Sequence, residues 1–157
     1  MQTFLPYSNF EKSIKTLDNQ RLGKQRVEAM QMYRAITIPE YGWKQHPCTR
    51  MWWCYPEALQ HYMNLCIDEW VARGFNNTMQ KANIDIDKMT MPNWLGDDRL
   101  HDSHKSNLLQ KNYHWYQQFG WNVPTDMEYY WCGYGSTDHI YLSLIQYRKQ
   151  KEGGRNA

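Results

Sequence analysis

One run of apolar residues limits the possible folds of this chain more than any other feature of its sequence. Between Pro56 and Arg73, apolar side chains recur at alternating intervals of three and one residues: Leu59, Tyr62, Met63, Cys66, Ile67, Trp70 and Val71. An α-helix has about 3.6 residues per turn, so this spacing puts all of them on one face. Pro56 suits the first turn of the helix and Gly74 suits its end. The run predicts a core helix and, with it, a mainly α fold.

A second long helix is predicted from about Leu17 to Ile36, with Asp18 or Asn19 as its N-cap. Four polar residues share one sector of this helix: Arg21, Lys24, Gln25 and Glu28. An apolar stripe lies opposite: Leu22, Ala29, Met30 and Tyr33. Arg26 projects from within that stripe, where burying a guanidinium is costly unless it has a partner or lines a wet cleft. The pattern leaves open whether the polar sector is a solvated face or a binding surface.

The segment before the second helix predicts an extended arm and a short helix. Pro6 disfavours helical geometry at the residue before it, so residues 1–7 are expected to be extended. Ser8 and Glu11 have the spacing of a capping box, which predicts a short helix to about Leu17.

Apart from the core helix, loops and one more long helix are predicted after Ile36. Residues 40–49 are expected to form a loop, and residues 76–98 a long surface excursion punctuated by Pro92 and Gly96. A third good helix is predicted from about Ser103 to Phe119, stopped by Gly120. Beyond it we expect a turn at Gly133 and Gly135, a strand or helix over residues 140–147, and a frayed tail from about residue 150.

Length and composition favour one compact domain over residues 1–157, with an extended arm and long loops. The four cysteines include no Cys-x-x-Cys pair, and no cleavable apolar segment begins the chain, so a cytoplasmic, reduced setting is expected. No run is long and apolar enough to cross a membrane, and we expect a monomer. Net charge is only +2, but residues 1–55 hold 8 Lys/Arg against 4 Asp/Glu. This excess gives weak support to a polyanionic partner.

His101 and His104, with Asp102 between them and His46 elsewhere, raise the question of a metal site. Two histidines three residues apart fall far short of a ligand signature, so neither a metal nor another cofactor is expected. Helix capping, phosphate contacts or simple exposure explain them at lower cost. Glu28 among cations is open to two explanations, a structural ion-pair network or a catalytic carboxylate.

Longer blocks of the sequence carry a resemblance. The start Met1-Gln-Thr-Phe-Leu-Pro-Tyr7, the block Arg21-Leu-Gly-Lys-Gln-Arg-Val-Glu28 and the helix end Ala-Arg73-Gly-Phe-Asn76 resemble the pyrimidine-dimer DNA glycosylase family of the phage endonuclease V type. Residues 101–111, leading to Trp115-Tyr116, are similar to that family's later helix. The resemblance implies a helical fold and a glycosylase with possible AP-lyase activity on double-stranded DNA. Its substrate would be a damaged pyrimidine or a phage-type modified base.

In that family the nucleophile is the main-chain amine of the mature N-terminus, assisted by a glutamate on the helix that follows the arm. An α-amine of pKa near 8 is about one-tenth neutral at pH 7, whereas a lysine is neutral only about once in 2,500 molecules. Because Gln2 is bulky, we expect Met1 to be retained and to supply the amine. Matching Arg26 to the family's arginine puts the glutamate's position on Gly23, so the nearest helix carboxylate is Glu28, with Asp18 as a second candidate.

The predicted catalytic residues are Met1, Glu28, Arg21 and Arg26. The predicted substrate-binding residues are Gln2, Lys24, Gln25, Trp43, His46, His101, His104 and Lys105. Two other classes of function remain open on the sequence. One is a nucleic-acid-binding protein without catalysis, and the other is a transferase or hydrolase that acts on a modified base or nucleotide.

Overall fold

A computed structural model describes residues 1–132, and within that range every regular element is a helix. The α-helices are α1 (Phe10–Thr16), α2 (Asn19–Thr37), α3 (Pro47–Met51), α4 (Pro56–Ala72), α5 (Asp98–Lys111) and α6 (Tyr113–Tyr116). One 3-10 turn, Ile86–Lys88, lies between α4 and α5, and another, Gln117–Phe119, follows α6. The mainly α fold is therefore confirmed. The predicted turn at Gly133 and Gly135, the segment 140–147 and the tail lie outside the described residues, and the single domain over 1–157 stays a prediction.

The two long helices pack against each other and form the centre of the fold. In α4 the spaced apolar residues are buried as far as Ile67, and Gly74 follows the helix end with φ of 90°. Gly23 of α2 faces the ring of Trp70 on α4. A Cβ atom on Gly23 would lie 3.0 Å from two atoms of that ring, so a larger residue would require the ring to shift.

The buried face of α2 differs from the predicted stripe. Its buried residues are Leu22, Gln25, Ala29, Met32, Ala35 and Ile36, whereas Met30 and Tyr33 are only partly buried. Gln25 was expected on the polar sector, but it is buried because its amide bonds to the N-terminal arm. Arg26 is half-buried, with its guanidinium 4.4 Å from the Trp70 ring centroid and 2.7 Å from Asn77 Oδ1. These two contacts compensate part of its burial, and its Nε is buried without a hydrogen-bond partner among the described residues.

The N-terminal arm is extended, as predicted, but it runs through the interior. Residues 2–6 are all buried. No strand pairs with them among the described residues, so their backbone groups need other partners, since an unpaired buried amide is costly. Side chains from α2, α4 and α5 supply those partners. The arm is therefore a core element that happens to lack regular secondary structure.

Three boundaries differ from the predicted ones. Asn9, and not Ser8, caps α1, because the Asn9 side chain accepts the N–H of Lys12. The short helix α3 begins inside the predicted loop 40–49, with Pro47 in its first turn and His46 accepting the N–H of Cys48. The third long helix begins at Asp98, capped by Asp97, and ends before Asn112, which caps α6.

The long excursion is confirmed, since residues 73–97 contain only one 3-10 turn. One residue of it reaches the core: Trp94 is buried and its indole donates to the carbonyl of Met51 at 2.9 Å. In the described part of the chain, the membrane-length apolar helix that a bilayer span would require is not found.

Candidate active site

An open cavity of about 250 Å³ lies at the start of the chain, between the arm and the polar sector of α2. Its lining combines the first residues of the arm, several α2 side chains, the end of α5 and one tyrosine: Met1, Gln2, Phe4, Gln20, Arg21, Lys24, Gln25, Glu28, Lys111 and Tyr129. Most of these groups are polar, and three carry a positive charge. The cavity therefore suits an anionic ligand near the N-terminal amine.

Glu28 lies against the start of the arm. Its carboxylate oxygen Oε2 accepts the main-chain N–H of Gln2 at 3.1 Å. That N–H belongs to the residue that directly follows Met1, whose amine begins the chain. Both Met1 and Glu28 line the cavity. Gly23 instead faces Trp70 on α4, so a glutamate at that position would begin against the Trp70 ring. The rotation of α2 thus places residue 28, and not residue 23, against the start of the arm.

Gln25 fixes the arm one turn before Glu28. Its Oε1 accepts the N–H of Phe4 at 2.9 Å, and its Nε2 donates to the carbonyl of Gln2. Tyr62 on α4 donates its hydroxyl to the carbonyl of Phe4 at 2.9 Å. These bonds hold residues 2 and 4 from two sides, and they explain why a glutamine on the polar sector is buried.

His101 and His104 hold the next residue of the arm. His104 Nδ1 accepts the N–H of Leu5 at 2.9 Å, and His101 Nδ1 lies 2.7 Å from the carbonyl of Leu5. His101 Nε2 accepts the N–H of Gly96, so its proton is on Nδ1, where it donates to Leu5. Both rings are buried, and burial lowers the pKa of His104 to about 3. The structure places both histidines beneath the arm and outside the cavity lining.

Arg21 lines the cavity and is held in place by Asp18. Its guanidinium bonds to Asp18 Oδ2 at 3.0 Å, and the Tyr116 hydroxyl donates to the other oxygen of Asp18. Asp18 also donates its own N–H to that hydroxyl at 3.0 Å. Because Asp18 is buried and fully engaged, it is placed as an anchor for Arg21, away from the cavity lining.

Three other charged residues of the predicted site lie in three different places. Lys24 is exposed at the cavity rim. Lys105 lies in a separate depression, 5.2 Å from the ring of Tyr7 and 3.9 Å from Asp102. Arg26 packs on Trp70 and is not brought into the cavity, and burial lowers the pKa of its guanidinium.

Trp43 and His46 lie outside the cavity but close to it. The pKa of His46 is lowered by burial and by the positive charge of the N-terminus. The imidazole therefore lies close enough to the amine to be affected by its charge. Trp43 packs edge-on against His46, with the ring centroids 6.0 Å apart.

Four lining residues were not singled out from the sequence: Phe4, Gln20, Lys111 and Tyr129. Lys111 ends the block that resembles the family's later helix, and Tyr129 belongs to a run of aromatic residues, so each carried a weak signal. Neither signal indicated that these distant residues meet at the first residues of the chain.

The side chains near the cavity also bear on metal and thiolate chemistry. Within residues 1–132 no three His, Cys, Asp or Glu side chains are grouped as a metal ion requires. Cys48 lies under the arm, 3.4 Å from the Thr3 hydroxyl, and burial raises the pKa of its thiol to about 11. A thiolate nucleophile is disfavoured by that environment. The geometry defines a helical protein in which Met1, Glu28 and three cationic side chains line one open cavity.

Comparison with known families agrees with this class. The family model for pyrimidine dimer DNA glycosylase matches residues 1–83, which include the arm and α1 to α4. The match covers more than half of the chain, so the protein belongs to the pyrimidine dimer DNA glycosylase family. DNA is the substrate that this family implies. No curated protein and no solved structure gives a significant match.

Proposed function

We propose that this protein is a DNA glycosylase with AP-lyase activity, in which the main-chain amine of Met1 is the nucleophile. Its substrate is double-stranded DNA with a damaged or modified pyrimidine. One observation carries the proposal: the Glu28 carboxylate accepts the N–H of residue 2 in the same cavity as Met1. The carboxylate and the residue that carries the amine thereby line one cationic cavity in a member of a glycosylase family.

The reaction follows from the chemistry of a neutral amine. Its lone pair forms a bond to the sugar C1′ while the bond from C1′ to the base breaks, and the base leaves with the electron pair and a proton. Opening of the sugar ring then gives an imine between C1′ and the amine. The imine acidifies the C2′ proton, and loss of that proton expels the 3′ phosphate, which breaks the strand.

Glu28 has two roles in this scheme. As an anion it stabilises the cationic sugar that develops when the base departs, and as a base it accepts protons from the amine and from C2′. Its bond to the N–H of Gln2 keeps the carboxylate oriented while the arm is held by Gln25. Both groups are thus positioned before substrate binds, which removes the cost of ordering them.

The cations around the cavity bind phosphates. Arg21, Lys24 and Lys111 all line it, and Arg21 is pre-oriented by Asp18. Arginine and lysine contacts to phosphates position DNA without reading its sequence. We assign Arg26 to the packing of α2 on α4, and His101 and His104 to the positioning of the arm.

Borohydride trapping tests the nucleophile. The imine should be reduced to a stable covalent adduct between the protein and damaged DNA, and the link should map to residue 1. Acetylating the amine, or leaving a tag ahead of Met1, should abolish trapping and preserve DNA binding, because every side chain is kept. A chelator should leave the rate unchanged.

The alternatives give different results in the same experiment. An adduct on Lys24 would keep the reaction class and move the nucleophile onto α2. Full strand cleavage by a folded protein with a blocked terminus, and no adduct, would overturn the amine mechanism. DNA binding with neither adduct nor cleavage would favour a non-catalytic binding protein.

A further inference from the structure

Trp43 combines exposure with an unfavourable backbone conformation. Its side chain is 55% exposed, whereas Trp52, Trp53 and Trp94 are almost completely buried. Its φ is 70°, and among the described residues it is the only non-glycine residue with a positive φ. A large side chain rarely adopts this conformation, and residues that do so cluster at ligand sites. Packing does not account for Trp43, because so much of the ring faces solvent.

Four rings form a continuous aromatic strip from Trp43 to the cavity at the amine. The centroids of Trp43 and His46 are 6.0 Å apart, those of His46 and Trp131 are 5.9 Å apart, and those of Trp131 and Tyr129 are 5.3 Å apart. Tyr129 lines the cavity together with Met1. All four side chains are at least partly accessible to solvent. The aromatic strip therefore extends the cavity with ring surface, in which Trp43 and His46, and His46 and Trp131, meet edge to face.

His46 contributes a neutral ring and one directed donor. Its Nδ1 accepts the N–H of Cys48 at 3.1 Å, so the proton of the neutral imidazole is on Nε2. Burial and the charged N-terminus both lower the pKa of His46, which keeps the ring neutral at pH 7. A neutral imidazole can stack with an aromatic ring and can donate one N–H to a carbonyl or ring nitrogen.

We propose that the aromatic strip binds a nucleobase that has left the base stack, and that Trp43 is the ring on which this base stacks. The proposal rests on the proposed function in taking DNA as the ligand, but it does not depend on cleavage. Attack at C1′ requires that the duplex open at the reacting nucleotide. Stacking on an aromatic ring is tolerant of base identity, so the strip should distinguish opened DNA from paired DNA more than one sequence from another.

The test compares two duplexes that differ only at their centre. One is fully paired, and the other carries a tetrahydrofuran abasic analogue opposite a 2-aminopurine. The analogue cannot form an imine, and the fluorescence of the 2-aminopurine reports on its stacking. Wild-type protein should bind the opened duplex about 10- to 100-fold more tightly and should change the 2-aminopurine emission. Equal affinity for both duplexes, or unchanged emission, would overturn the proposal.

Two variants and a control separate stacking from structure. Trp43→Gly suits the positive φ, so it should keep or raise thermal stability while removing most of the preference for opened DNA. Trp43→Phe should retain most of the preference. The control is Tyr113→Ala, since Tyr113 is 59% exposed on α6 and should not affect the preference. A full preference in Trp43→Gly, or an equal loss in the control, would exclude Trp43 as the stacking residue.

The outcomes also separate this inference from the proposed function. Should wild type form no borohydride adduct while Trp43→Gly loses the preference for opened DNA, the nucleobase site stands and the enzymatic proposal fails. Should wild type and Trp43→Gly bind both duplexes alike and form the adduct equally, the nucleobase site fails and the enzymatic proposal stands.

Discussion

At the scale of single residues, the fold gives different surroundings to charged side chains whose roles the sequence alone could not distinguish. Glu28 accepts a main-chain N–H beside the amine, whereas Asp18 is buried between Arg21 and Tyr116. Arg21 lines the cavity, and Arg26 stacks on Trp70 on the α4 side of the helix. Two carboxylates and two arginines on one helix thus divide into one pair at the cavity and one pair with anchoring contacts.

Glu28→Gln should lower the rate of borohydride trapping by at least about 100-fold while DNA affinity stays within a few-fold. The amide keeps the shape of the side chain and can still accept the N–H of Gln2, but it has neither negative charge nor basicity. Glu11→Gln is the matched control, because Glu11 pairs with Lys15 on the exposed face of α1. Equal losses of affinity and trapping would show that Glu28 only organises the arm.

Arg26→Ala and Arg21→Ala should affect different properties, the first mainly stability and the second mainly DNA affinity. Loss of Arg26 removes a cation–π contact and a hydrogen bond to Asn77, which should lower the free energy of unfolding by about 1–3 kcal/mol and leave DNA affinity unchanged. Loss of Arg21 should weaken DNA binding with a smaller effect on stability. Denaturant titrations and binding isotherms of both variants measure this. Weaker DNA binding by Arg26→Ala would instead return Arg26 to the binding surface.

At the scale of secondary-structure elements, the helices follow from local patterns and the arm does not. The 3.6-residue spacing in α4, with Pro56 and Gly74 at its ends, is sufficient to predict that helix. The start of α5 was missed because Asp97 caps it after a turn at Gly96, inside a stretch that is otherwise polar. The burial of Gln25 could not be predicted, since it depends on Phe4 docking across α2. The contribution of Lys111 and Tyr129 to the cavity was missed for the same reason, since both lie more than 100 positions from Met1 in the sequence.

The buried His104 beneath the arm predicts a pH dependence of stability. The pKa of His104 is lowered to about 3 in the folded protein, against about 6.5 in an unfolded chain. The unfolded state therefore binds a proton that the folded state excludes. This component of the free energy of unfolding is fully present above pH 6.5 and should be lost progressively as pH falls towards 3.

His104→Asn isolates that component, because an amide oxygen can accept the N–H of Leu5 but does not titrate. The variant should be less stable than wild type at pH 7.5, and its free energy of unfolding should fall less between pH 7 and pH 5. Chemical denaturation at each pH gives both slopes. Parallel pH profiles would show that His104 is not the group responsible.

At the scale of the whole molecule, a chain with a net charge of only +2 relies on placing its cations together. About three to five phosphate contacts at the cavity predict a slope near −3 to −4 for log affinity against log salt concentration. Lys24→Ala should make that slope shallower by about 1, whereas Lys81→Ala, which removes an ion pair with Asp68, should leave it unchanged. Fluorescence anisotropy with duplex DNA at several salt concentrations measures this. A slope of zero would remove DNA as the partner.

The buried arm also sets the order in which the molecule can be assembled. Residues 2–6 precede in the chain every residue that holds them, and the bond from Leu5 to His104 spans 99 positions. During synthesis the arm is made before the elements that hold it, and its binding partners on α2, α4 and α5 follow one after another. A nascent chain that stops before α5 has the amine and Glu28 but lacks the imidazoles that fix Leu5. Met1 and Glu28 are thus both made before the helix that holds Leu5, so the arrangement of the cavity depends on completion of the fold as far as α5.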